Sequence, residues 1–347
     1  MGGDARGLST LGGAKVDKQH EHKLGDLLSS EQLIRELYVD LRKRVNAWAT
    51  LTHQTAQARM GYVGQHLVSI VTGYRGSRSG GRGNDLIIPD AEFAEIKTCY
   101  RVDQLGSCRN PACGAVVASI ELQCHACGST EITRKNDSKW LISFRNDEEY
   151  GKALDPKWYF PVLFELDPES PDTGTVRISI WRVLPTRPGF AYAMIDYFQI
   201  HRAKAVSVGK TPAPFDWWPH SLKFELMRPS LIYRSRILGD DVVTERFPGR
   251  DQPIEDQPVD WTEFAGSRNL TPAKLQVAAN KLGVTVVGGN KREMTASLAR
   301  ATHDAGISQG DVADALAHAL YRPEIDRYFM TLPMRLKEKM EDAGLLS

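Results

Sequence analysis

Residues 84–99 read NDLIIPDAEFAEIKTC, and the pairing of this stretch with itself decides the fold. Leu86-Ile87-Ile88 and Phe93-Ala94-Glu95-Ile96 are rich in the branched and aromatic residues that suit strands. Between them Pro89-Asp90-Ala91 has turn chemistry, since proline fixes φ and aspartate tolerates turn positions. A hairpin follows. With a three-residue loop, Ile88 pairs with Glu92 and Asp85 with Glu95, and alternation brings Lys97 to the same face as both acids. Directly opposite residues have Cβ atoms about 5 Å apart. Two carboxylates that close repel each other unless a cation lies between them. A lysine beside them supplies the third part of a hydrolytic site. A two-residue turn instead puts Asp85 and Glu95 on opposite faces, because a one-residue slip flips every side chain. In the three-residue reading Asp90 sits at the hairpin tip, roughly 15 Å from the Asp85 end of the strand.

The triplet acid-x-Lys is cheap by itself. It recurs at Glu21-His22-Lys23, Asp137-Ser138-Lys139 and Asp155-Pro156-Lys157. None of those stands on an apolar strand with a second acid at hairpin distance. A solvated hairpin face explains the bare triplet; it explains less once the surroundings are added.

Residues 61–98, GYVGQHLVSIVTGYRGSRSGGRGNDLIIPDAEFAEIKT, resemble the helix–strand–strand core of PD-(D/E)XK nucleases. Within that group they are similar to type II restriction endonucleases of the MamI-like kind. The likeness consists of a helix opening with Gly-x-x-Gly, a Gly/Arg-rich loop, Asp-Leu, and then Glu-x-Lys-Thr. The resemblance implies an α/β restriction-endonuclease-like core with a mixed sheet. In it Asp85 and Glu95 would hold Mg²⁺, and Lys97 would position or help deprotonate the attacking water. Many members carry a glutamate on the preceding helix where this chain has Gln65, so metal affinity or catalysis is in question there. The residue types suit the chemistry. Mg²⁺ is held by one or two carboxylates plus waters and phosphate oxygens. It acidifies bound water and neutralises charge at a scissile phosphate, and a neighbouring lysine is a point charge and potential proton acceptor.

Five cysteines occur, and four fall in pairs: Cys108-x4-Cys113 and Cys124-x2-Cys127, each pair followed by a glycine, Gly114 or Gly128. Glycine there lets the backbone turn tightly and aim amide N–H groups at a thiolate. Two such knuckles make a closed tetrahedral Zn²⁺ site of the zinc-ribbon type, structural because no ligand position is vacant. Two disulfides are the rival reading, disfavoured in a cytoplasmic chain. The ribbon is expected as an insertion over 103–135. Cys99 is left over as a core thiol, and His125 reads as exposed.

The chain of 347 residues, 41% hydrophobic and 25% charged, is long enough for more than one soluble unit. No apolar run reaches a membrane span. The first residues are polar and glycine-rich, without the apolar core of a signal peptide, and Arg6 stands where a myristoylation signal needs Ser or Thr. The expectation is a cytoplasmic, bacterial protein without a membrane partner. A net charge of +1 does not announce nucleic acid, but charge is uneven. Arg75, Arg78 and Arg82 fall in the 74–83 loop beside the proposed site, where arginine amid glycine suits phosphate contact. Arg228, Arg234 and Arg236 form a second cluster, for which a surface role is at least as well supported.

Outward from the core, residues 30–54 show helical spacing with Ser30 as cap. WLISFR (140–145), YFPVLFEL (159–166) and TVRISIWRVL (175–184) are expected to extend the sheet, the last two as a hairpin. FDWWPHSLKF (215–224) reads as core rather than as a DNA-facing wedge. The expected division is a tail over 1–29, a nuclease domain over 30–250 and a proline-rich linker over 251–265. In the next unit, 266–303, Thr271 caps a helix that starts at Pro272 and ends at Gly283, and a second helix starts at Lys291-Arg292. This unit looks like a SAP or Rho-N module, which puts Lys291 and Arg292 forward as DNA contacts. A helical hairpin that merely packs on the core remains open beside it. Residues 304–347 read as further helices. The reading is an Mg²⁺-dependent, site-specific DNA endonuclease of the restriction type, acting on double-stranded DNA as a homodimer. A repair or mobile-element nuclease and a non-catalytic zinc-ribbon DNA-binding protein are its rivals.

Overall fold

The computed structural model describes residues 21–52, 61–77, 84–143, 148–170, 173–248, 261–328, 330 and 332–345. Helix α1 (Leu27–Ile34) passes through a π-helical turn (Arg35–Asp40) into α2 (Leu41–Thr52), and α3 (Gly61–Thr72) follows. Short strands β1 (Arg75–Gly76) and β2 (Leu86–Ile87) lead into β3 (Phe93–Tyr100). A side sheet holds β4 (Leu105–Cys108), β5 (Val116–Ala118) and β6 (Ile132–Thr133). Then come β7 (Trp140–Ile142), α4 (Glu148–Lys152), β8 (Trp158–Leu166) and β9 (Val176–Arg182). Helices α5 (Pro188–Tyr197) and α6 (Ala203–Ser207), β10 (Phe215–Trp217), α7 (Leu222–Leu226), β11 (Ser230–Leu238) and β12 (Asp241–Arg246) complete the sheet region. The chain closes on α8 (Pro272–Leu282), α9 (Lys291–Asp304), α10 (Gln309–Tyr328) and α11 (Met334–Asp342).

The main sheet has the order β1-β2-β3-β8-β9-β11-β12. Only β3 and β8 run parallel; the other pairs are antiparallel, so the fold is mixed α/β as expected. β8 is central and apolar on both faces, which is why YFPVLFEL shows no alternation. Pro161, which has no N–H to give, falls where the ladder to β9 breaks between the Tyr159–Val183 bridge and the Val162–Ile180 pair. The sheet divides two apolar cores. On one face Val63, Leu67 and Val68 of α3 meet Ala94, Ile96 and Val162. On the other, Phe190 and Ile195 of α5 and Leu316 of α10 meet Tyr159, Leu163 and Trp181.

Several expectations are corrected. Trp140–Ile142, the part of WLISFR that forms a strand among the described residues (144–145 lie outside them), does not extend the main sheet: β7 pairs with β10 in a separate two-stranded ladder. Trp140 draws it there, buried among Trp181, Trp217 and Phe224 with its indole N–H donating to the Val162 carbonyl at 2.9 Å. Asp26, not Ser30, caps α1, its carboxylate accepting the Ser29 amide at 2.8 Å; Ser30 lies inside the helix, fully buried. Arg228 is engaged with Asp314 at 3.0 Å and Arg236, on β11, with Glu169 at 3.2 Å, so both are half-buried in ion pairs rather than carried on a surface loop. Phe215 and Trp217 are core, as expected. Thr271 and Gly283 bound α8 as read from the sequence, with Gly283 left-handed at φ 68. Leu275, Ala278, Met294 and Leu298 of this helical pair lie in the same apolar core as α5. No helix among the described residues is long and apolar enough to cross a membrane.

Candidate active site and metal centre

The β2–β3 ladder pairs Leu86 with Ala94 and Ile87 with Phe93, and the Ile88 amide donates to the Glu92 carbonyl at 3.0 Å. The loop therefore holds three residues, Pro89–Ala91, with Asp90 at φ 66 and Ala91 at φ 58. Asp85 lies just outside this ladder, its amide donating to the Ala94 carbonyl at 3.0 Å rather than pairing in register with Glu95, while Glu95 and Lys97 share one face of β3. Lys97 Nζ is ion-paired with Glu95 Oε1. Asp85 Oδ2 accepts the Ile96 amide at 2.8 Å, and its Oδ1 accepts Gln65 Nε2 at 3.3 Å. Sequence reasoning brought these four side chains to one hairpin and its preceding helix, and the structure sets them side by side. Asp90 lies away from them, exposed in the turn.

Gln65 reaches Asp85 because α3 lies very close to β3. A Cβ on Gly64 would fall 2.1 Å from Thr98 Oγ1, so only glycine admits this approach. Glu95 is 6% exposed, while Asp85 and Lys97 are half-buried. Burial, and then the charge of Glu95, push the Asp85 carboxyl up to about 6. Two partly desolvated acids, one close enough to raise the other's carboxyl, with Lys97 paired to Glu95, are oxygen donors of the kind a hard dication takes. The site fits Mg²⁺ in that sense.

Features the sequence did not disclose complete the surroundings. Tyr159 is the β8 neighbour of Glu95, its hydroxyl donating to the Ala153 carbonyl at 3.0 Å. Burial, and then Glu95, raise that phenol well above its ordinary range. Ile87 and Phe93 form an exposed apolar pair beside the acids. The Ile96 amide is a backbone donor with no residue signature. Of the three loop arginines, Arg75 is exposed on β1, while Arg78 and Arg82 lie outside the described residues. Lys291 Nζ turns back to the Ser267 carbonyl, and Arg292 is exposed in the first turn of α9.

The second centre is on the side sheet. Sγ atoms of Cys108, Cys113, Cys124 and Cys127 all lie within 4.8 Å of one another, with Cys108–Cys127 at 3.6 Å and Cys113–Cys124 at 3.7 Å. None of them is in a disulfide. A tetrahedral Zn²⁺ with bonds of about 2.3 Å needs sulfurs about 3.8 Å apart, so the cage has the right size. Gly114 at φ 58 and Gly128 at φ 72 close the knuckles. Amides of Asn110, Ala115 and Ser129 point at Cys108, Cys113 and Cys127, and the Ser129 amide lowers Cys127 to about 7. Cys99 is buried far from this cage in sequence, its thiol raised by burial, and His125 is exposed.

Sheet and cysteine cluster together define a mixed α/β protein with a four-cysteine group that could hold a metal ion. The chain belongs to the MamI restriction endonuclease family, whose model matches residues 47–260, more than half of its length. It is similar to the type II restriction enzyme MamI of Microbacterium ammoniaphilum, 35% identical over 85 residues. That alignment covers 23% of this chain and 26% of the relative, so the matched part spans about a quarter of the relative's length. No solved structure matches the chain.

Proposed function

We propose that the protein is a type II site-specific deoxyribonuclease, hydrolysing phosphodiesters of double-stranded DNA on a PD-(D/E)XK core. The observation that carries this reading is the gathering of three charged side chains at one hairpin: the Asp85 carboxylate, close enough to Glu95 to be raised by its charge, and Lys97 ion-paired with Glu95. The family membership supports the same reading. In the proposed division, 30–250 is the nuclease domain, 103–135 its zinc ribbon, and 266–303 the SAP-like module.

Asp85 and Glu95 are the residues that would hold Mg²⁺. When bound, the dication neutralises charge on the scissile phosphate and acidifies a water. Glu95 holds Lys97 through their ion pair, so the ammonium is kept at the site rather than in solvent. From there it places a positive charge beside the attacking water and the phosphate. Ile96 and Gln65 donate one hydrogen bond to each Asp85 oxygen, fixing the plane of that carboxylate. Gln65 does this without adding a third negative charge. Arg75, Arg78 and Arg82 would contact the DNA backbone or a groove, with Lys291 and Arg292 as further contacts. Cys108, Cys113, Cys124 and Cys127 would hold a structural Zn²⁺. One such acid pair cuts one strand, so a double-strand break calls for a homodimer, which matches a palindromic site by its two-fold symmetry.

Digestion of defined phage or plasmid DNA with Mg²⁺, beside an EDTA control, tests the proposal. Discrete bands only with the cation are expected. Gel shift without cleavage would reject it.

A further inference from the structure

We propose that α2 and the π-helical turn before it are the surface on which a second copy of this chain docks, antiparallel. The inference deepens the proposed homodimer by naming its contact face.

The π turn, Arg35–Asp40, is wider than an α-helical turn and changes which side chains face outward. Tyr38 and Val39 stay in the core, at 1% and 6% exposure, while Leu37 and Leu41 on either side are both 38% exposed. Farther along, Trp48 is 66% and Leu51 70% exposed. Positions 37, 41, 44, 48 and 51 follow an alternating four-and-three spacing, and Arg44 is their one polar member. That is the seam pattern of helix against helix. On its other side α2 is tied to the protein by Arg42, which reaches Asp103 at 2.6 Å and Glu121 at 2.9 Å. No element among the described residues covers the seam. A twelve-residue helix is marginal in water unless an apolar face is packed.

Charge decides what covers it. Glu36 and Asp40, with the exposed Arg35 just before Glu36 in sequence, lie beside the first half of the seam; Lys43 lies beside the second half, of which Arg44 is itself a member. An antiparallel copy crossing near residue 42 sets Asp40 of each chain against the partner's Arg44. It also lays Trp48 over the partner's Leu37 and brings the two Leu41 side chains together. Such a contact is self-complementary about a two-fold axis, and opposed helix dipoles favour it.

Light scattering on the full-length, zinc-loaded protein tests this. The wild type should weigh twice the 38.7 kDa chain mass, and Leu41→Glu or Trp48→Glu should each halve it with circular dichroism and zinc content unchanged. Asp40→Arg and Arg44→Asp should each weaken self-association by about tenfold, and the double exchange in one chain should restore it. A wild type that stays monomeric both alone and on DNA overturns the inference. So does a dimer indifferent to Leu41→Glu and Trp48→Glu, or a monomer that binds anionic vesicles through α2. A double exchange that stays monomeric overturns the antiparallel pairing. A protein that dimerises through α2 yet cuts no DNA leaves this inference standing and rejects the nuclease.

Discussion

Asp85 accepts the backbone amide of Ile96, at 2.8 Å, from the opposite strand of its own hairpin. This bond ties the acid to the strand that carries Glu95 and Lys97, so loop length and site geometry are one property. Replacing Asp85, Glu95 or Lys97 by alanine should lower cleavage by about 10²-fold to 10³-fold or more while DNA binding remains measurable. Asp90→Asn should stay within a few-fold of wild type, because Asp90 is exposed in the turn and asparagine tolerates its φ of 66. Single-turnover digestion distinguishes the two groups. An inactive Asp90→Asn beside an active Asp85→Ala would reject the assignment.

The same pair sets a pH dependence. Burial and Glu95 raise the Asp85 carboxyl to about 6, above its ordinary value. An acid raised in the folded state favours the fold when protonated, so the metal-free protein should gain stability as pH falls through about 6 toward the ordinary value of about 4. Asp85→Asn removes the charge, keeps an acceptor for the Ile96 amide, and lets the Gln65 amide turn to suit. Its melting temperature in EDTA at pH 8 should exceed that of wild type, with the gap narrowing as pH falls through about 6 and closing at about pH 4. Scanning calorimetry at both pH values reads this directly. A variant no more stable than wild type at pH 8 would mean the two acids do not strain each other.

Much of this was legible because turn chemistry is local. Pro89-Asp90-Ala91 suits the three-residue loop that is found, the loop sets the Leu86–Ala94 register, and alternation along β3 puts Glu95 and Lys97 on one face. The thiolate cage was legible for a similar reason, each knuckle closing within a few residues on its own glycine. The β3–β8 pairing was not. The crossover from Tyr100 to Trp158 contains the ribbon, β7 and α4, and an apolar run such as β8 names no neighbour. β7 was misplaced for that reason: WLISFR has strand composition, but only the buried position of Trp140 reveals that its partner is β10.

Zinc should be present at about one ion per chain. Cys113→Ser or Cys127→Ser should release it and unfold the side sheet, whose apolar core holds little beyond Val117 and the cysteines themselves. Stability and solubility should fall before cleavage chemistry changes. Elemental analysis finding neither zinc nor iron in active protein would remove the centre from the account.

Gly64 gives the last prediction. Its missing Cβ lets α3 lie against Thr98, since a methyl there would meet Oγ1 at 2.1 Å and Cγ2 at 2.8 Å. Gly64 is buried and helical, so alanine would ordinarily favour the helix by about 1 kcal/mol. Here the clash should win. Gly64→Ala should destabilise the protein by about 1–3 kcal/mol, the range for overpacking a close contact. Because Gln65 is the next residue, moving α3 outward also lengthens its 3.3 Å bond to Asp85, so cleavage should fall further than stability alone explains. Both clashing atoms belong to the Thr98 side chain beyond Cβ, so Thr98→Ala should relieve most of the overlap. The double variant Gly64→Ala with Thr98→Ala should therefore recover both stability and cleavage toward wild type. Chemical denaturation and digestion of the single and double variants measure the coupling. Additive losses in the double variant would show that Gly64 acts through something other than its contact with Thr98.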